Sequence, residues 1–101
     1  MTELIEHISD LIEGEVDGAE GYVMDSVLYK EMSPTTAKIF YEIANDELRH
    51  VNLLHGEVVR LIAEYRNEHG EPPADMLAIY GYLHKKMIKA VNAIKMLQQQ
   101  Y

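Results

Sequence analysis

FYEIANDELRHVNLLHGEVVRLIAEY, residues 40–65, decides the fold. Phe40, Ala44, Glu47, Val51, Leu54, Val58, Leu61 and Tyr65 follow one another in alternating steps of four and three. That spacing keeps one stripe of side chains on one side of an α-helix, as in a coiled-coil seam. Every member of the stripe is apolar except Glu47. The stretch therefore predicts a long helix that packs along its whole length, with one carboxylate inside the packed face.

Working outward, prolines and a glycine punctuate the chain. Ser33-Pro34 is an N-cap followed by proline at the first helical position. Gly70 followed by Pro72-Pro73 is a helix stop and then a break. These signals predict helices over about residues 2–31, 34–69 and 74–99. The first carries a stripe of its own through Ile8, Ile12 (or Leu11), Glu15, Ala19, Tyr22 and Ser26, again interrupted by a single carboxylate. The third repeats Met76, Tyr80, Leu83, Met87, Val91 and Ile94. No segment sustains a two-residue alternation, so no sheet is expected. The expectation is one all-α domain over residues 1–101, an antiparallel hairpin plus a third helix.

Composition narrows the function classes. The chain has 101 residues, no Cys and a formal charge of −8. Without Cys there are no disulfides, thiolate-held clusters or zinc fingers. An acidic surface disfavours nucleic acid and anionic membranes, both of which attract Lys and Arg. No apolar run approaches the ~20 residues of a membrane span, and the acidic start MTELIEHISD is unlike the basic start of a secretion signal. The expected setting is the cytoplasm or the interior of a protein compartment. The acid is concentrated at the front: residues 1–31 hold nine Asp and Glu against one Lys.

The two carboxylates in the seams carry the functional argument. Burying an ionised carboxylate costs on the order of several kcal/mol unless something compensates it. With the turn at Ser33, Glu15 and Glu47 lie ~27 and ~21 Å from it along their helices. They therefore stand within about one helical turn of the same level. His50 follows Glu47 by three residues, which puts both on one helix face. A carboxylate and an imidazole so placed can hold one metal ion, and carboxylate-rich ligation suits iron or manganese.

IANDELRHV at 43–51 resembles the Glu-x-x-His helix of rubrerythrins and bacterial ferritins, and GEVDGAEGY at 14–22 is similar to their first metal helix. The resemblance spans roughly residues 5–65. It implies Glu15, Glu47 and His50 as metal ligands, with Tyr22 hydrogen-bonding a bridging carboxylate beside the metal. A ferritin-like bundle takes Glu from two helices and Glu-x-x-His from the other two, whereas this chain offers one of each. Two chains related by a twofold axis would supply the full set of four Glu and two His, completing a four-helix bundle. The chain thus looks like a half-ferritin, similar to encapsulated ferritins. The implied cofactor is a di-iron centre shared between chains, with manganese as the other fitting metal. The implied partners are a second copy, or a ring of dimers, and an enclosing protein shell. No cargo peptide is evident in the closing IKMLQQQY, residues 94–101. The implied activity is oxidation of Fe(II) by dioxygen or peroxide. Rubrerythrin-like peroxide reduction and a metal-free helical interaction module are the competing readings.

The remaining polar residues are weaker candidates. Glu13, Asp17 and Glu20 are solvated acids or transient iron-delivery ligands. His55 and Glu57 follow the motif on the second helix and are candidates for a position near the site or at a subunit contact. His7, His69 and His84 are surface or packing residues. Met24, Met32, Met76, Met87 and Met96 are read as core rather than as a copper or haem box. Gly14, Gly18 and Gly21 each weaken a helix by about 1 kcal/mol relative to Ala, which suggests close packing or space beside a metal site.

Overall fold

The computed structural model describes residues 1–101 as three helices: α1 Thr2–Tyr29, α2 Pro34–His69 and α3 Ala74–Gln98. The punctuation acts as expected at both breaks. Ser33 is the N-cap residue of α2 with Pro34 at the first position, but its hydroxyl donates to Thr36 Oγ1 and accepts no backbone N–H of the first turn. Gly70 ends α2 at φ +82°, donating its N–H to the Arg66 carbonyl. That left-handed φ is strained for any residue with a Cβ. α1 stops at Tyr29 rather than near residue 31, because Lys30–Met32 form the turn into Ser33.

Side-chain contacts establish the topology. Phe40 packs against Tyr22 and Tyr29, and His50 lies against Glu15, so α1 and α2 run antiparallel from their turn. α3 returns antiparallel to α2, with His84 on His55 and Gln98 on Asn45. It therefore runs parallel to α1, where Lys86 reaches Glu13 and Lys30 reaches the Gln100 carbonyl. The result is a rod of 56 × 18 × 17 Å. α1 shares its most extensive contact with α2, and its second with α3.

The seams close as the spacing predicts. Ile8, Ile12, Ala19 and Ser26 of α1 are buried, as are Ala44, Val51, Val58 and Leu61 of α2 and Met76, Leu83 and Ile94 of α3. Ile12 is the inward member of its pair at 1 % exposure, while Leu11 is 45 % exposed. Ser26 satisfies its buried hydroxyl by donating to the Val23 carbonyl at 2.6 Å. The methionines differ from expectation. Met76 is buried, but Met24 and Met96 are exposed in the single chain, because each falls off its helix's inward stripe, and Met32 is exposed in the turn between α1 and α2. No helix is long and apolar enough to cross a membrane.

Candidate metal centre

The α1–α2 seam has two flanks. One is covered by α3: on α1 it passes through Glu13, Val16 and Glu20, which line a groove with Leu83 and Lys86, and on α2 through Asn45 and His55. At about 100° per residue, Glu15 and Gly18 of α1, and Glu47 and His50 of α2, fall on the other flank. There Glu15 and His50, 35 residues apart in sequence, come within 3.3 Å through Glu15 Oε2 and His50 Nδ1. The His50 and Glu15 side chains are 42 % and 29 % exposed, so both remain open to a neighbour.

The proton positions follow from the partners. The Arg49 guanidinium, which can only donate, lies 3.5 Å from His50 Nε2. Facing a carboxylate, which can only accept, Nδ1–H donates to Glu15. Both contacts are long and correspondingly weak. Glu47 lies beside Glu15. This contact holds the Glu15 carboxyl below its usual range, with partial desolvation opposing and His50 assisting. The same contact holds Glu47 above the usual range, and desolvation and the Glu15 charge add to that rise. Two carboxylates placed together cannot ionise independently. Glu47 is the one that keeps a proton more readily.

Glu47 is also accommodated by an absent side chain. A Cβ at Gly18 would stand 2.9 Å from Glu47 Oε2, whereas a Cβ at Gly14 or Gly21 would meet nothing within 4 Å. The sequence presented these three glycines without ranking them. Gly18 is distinguished only by the partner that α2 brings to it, although its place three residues after Glu15 was a usable signal.

Tyr22 stands on the same face as Glu15, half-buried, with its ring 6.0 Å from that of Phe40. Other candidates go elsewhere. Glu13, Asp17 and Glu20 line the groove between α1 and α3, on the opposite flank from Glu15, and Glu13 pairs with Lys86 at 2.7 Å. Glu57 is held by Arg60 at 2.6 Å, and that ion pair keeps its carboxyl below the usual range. His55 turns to α3, where its Nε2 lies 3.2 Å from His84 Nδ1 and its ring stacks on Tyr80. Burial, reinforced by the facing His84, pushes the His55 imidazole down from its ordinary value. His84, expected from the sequence to be a surface or packing residue, is thus a partner of His55. Its position four residues after Tyr80 was the available signal.

Within one chain, no three His, Asp or Glu side chains close into a group that could hold a metal ion. Glu15, Glu47 and His50 are a carboxylate-rich set of the type that suits hard iron or manganese ions, gathered on one open flank. Compared with known proteins, the chain matches no family model, no curated protein and no solved structure.

Proposed function

We propose that two copies of this chain pair through the flank of the α1–α2 hairpin that α3 leaves open, forming a ferritin-like four-helix bundle that oxidises Fe(II). The observation carrying this reading is the meeting of Glu15 and His50 at 3.3 Å, with Glu47 beside Glu15, on that open flank. One chain provides half of a di-iron ligand set, and a twofold-related copy provides the other half. Leu4, Leu11, Ile39 and Leu53 stand 44–61 % exposed. Helical periodicity puts them on or bordering this flank, where a second copy would cover them.

Glu15, Glu47 and His50 of both chains would hold the iron, with manganese as the alternative metal. Held there, two Fe(II) would supply one electron each to a single oxidant, which with two protons from water would pass from peroxide to water or from dioxygen to hydrogen peroxide. The chain's own residues prepare the site. Binding would take Glu47 as the carboxylate, against the upward shift that Glu15 imposes on it, and would put a cation where Glu15 now meets His50 Nδ1. Tyr22, on the Glu15 face, would donate its hydroxyl to a carboxylate once the second chain is present.

Iron loading tests the proposal directly. Purified protein is exposed to Fe(II) aerobically, and metal content is measured alongside oligomeric state by light scattering. About one iron per chain in a dimer or larger ring supports the reading. A monomer that takes up no iron overturns it in favour of a metal-free helical module. That module has its own supporting observation: within one chain no three His, Asp or Glu side chains close into a group that could hold a metal ion.

A further inference from the structure

Glycine inside a helix is unfavourable relative to alanine, so an internal glycine calls for a reason. Gly18 has one that Gly14 and Gly21 lack in the chain. An added Cβ there would lie 2.9 Å from Glu47 Oε2 and 3.3 Å from Glu47 Cδ. The atoms it would strike are the free end of a flexible side chain rather than the backbone of α2. Alanine at this position would therefore leave the two helices where they are and move the carboxylate. Packing does not require glycine at 18, but the location of Glu47 does.

We infer that Gly18 is the positioning residue of the candidate centre: its missing side chain is the space in which the Glu47 carboxylate is held against Glu15. The inference rests on the two-chain iron reading for its functional meaning, though its steric content stands without it. A Cβ at 18 forces the Glu47 carboxylate to shift from its present place against Glu15. The cost falls on the ligand set and not on the fold. Stability and metal binding should consequently move in opposite directions.

The test is Gly18→Ala beside Gly81→Ala. Gly81 lies in α3, and its added Cβ would meet nothing within 4 Å. Both variants should melt about 4–8 °C higher without metal, from helix propensity alone. Anaerobic Fe(II) titration should then show affinity reduced by about tenfold or more in Gly18→Ala and unchanged in Gly81→Ala. Glu47→Asp, one methylene shorter, should weaken iron binding in the wild-type background and strengthen it in the Gly18→Ala background. Wild-type affinity in Gly18→Ala overturns the inference. So do strictly additive effects of the two changes, or an affinity loss that accompanies loss of the dimer in light scattering, which would assign Gly18 to the interface. If the wild-type chain binds no Fe(II), the iron reading falls instead. Crystal structures of the metal-free wild type and Gly18→Ala then decide the positioning role: a displaced Glu47 carboxylate supports it, and an unmoved one overturns it.

Discussion

Two clusters of titratable side chains lie between helices of this protein, and they differ in kind. Between α1 and α2, Glu15, Glu47 and His50 combine two carboxylates with one imidazole on a flank open to the outside. Between α2 and α3, His55 and His84 pair within 3.2 Å and stack with Tyr80, with no carboxylate in the pair. The second cluster is self-sufficient, because a neutral imidazole both donates and accepts. The first is overloaded with negative charge and has only long hydrogen bonds to offset it. Proximity of titratable groups is therefore not what marks a site. An uncompensated charge facing an open surface is.

The responses of His55 and Glu47 to pH should run in opposite directions. The folded-state value of His55 is lowered, so between that value and the ordinary imidazole value of about 6.5 the unfolded chain binds more protons. Stability from His55 is fully present above that ordinary value and is lost as pH falls below it. The folded-state value of Glu47 is raised, so its contribution is present below the ordinary carboxylate value and is lost as pH rises through the raised one. Glu15, held below its ordinary value by the same contact, contributes in the opposite sense to Glu47: its stability is present above the ordinary carboxylate value and is lost as pH falls through the lowered one.

The largest expected effect breaks both regions together. Ile12 is 1 % exposed in the shared core. Ile12→Ala should cost about 2–5 kcal/mol, read as a large fall in the denaturant midpoint. A loss well below that range would mean that the bundle repacks and that α1 does not hold the two clusters in fixed register.

Glu47→Gln separates the regions. It mimics the protonated carboxyl, so the metal-free protein should melt at the same temperature or higher. The stabilisation that Fe(II) gives by binding only the folded dimer should nearly vanish. His50→Ala should lose the iron response as well, without the gain from charge relief. Anaerobic melting of each variant with and without Fe(II) reads both effects, and a full iron-induced rise in Glu47→Gln would remove Glu47 from the ligand set.

His55→Gln addresses the other cluster. The wild-type melting temperature should decline as pH falls from 7 towards 5, and the variant should decline less. Iron binding should be the same in both. Equal slopes would show that the His55–His84 pair carries no proton-linked stability.

The smallest effect is expected at the acids that the sequence left undecided. Glu13, Asp17 and Glu20 face the α3 side of α1 rather than Glu15. Converting all three to amides should leave iron affinity and the rate of Fe(II) oxidation almost unchanged. A several-fold slower oxidation at low iron would restore them as delivery ligands and weaken the distinction between the two flanks.

The stripe from Phe40 to Tyr65, Pro34 and Gly70 were enough to specify three helices and their boundaries within two residues, because periodicity and chain-breaking chemistry are local. The inward faces were equally legible, since a helix repeats its face every seven residues regardless of its partner. The level of Glu15 against Glu47 also followed from rise per residue alone. What no local rule contains is which flank a third helix will cover. α3 docks parallel to α1 and closes the side bearing Glu13, leaving Glu15, Glu47 and His50 on the open one. Residues two positions apart, Glu13 and Glu15, thereby receive opposite environments: a lysine partner for one, a carboxyl and an imidazole for the other. The tertiary structure alone turned His55 towards His84 and singled out Gly18 among three glycines, because both depend on what another helix brings into contact.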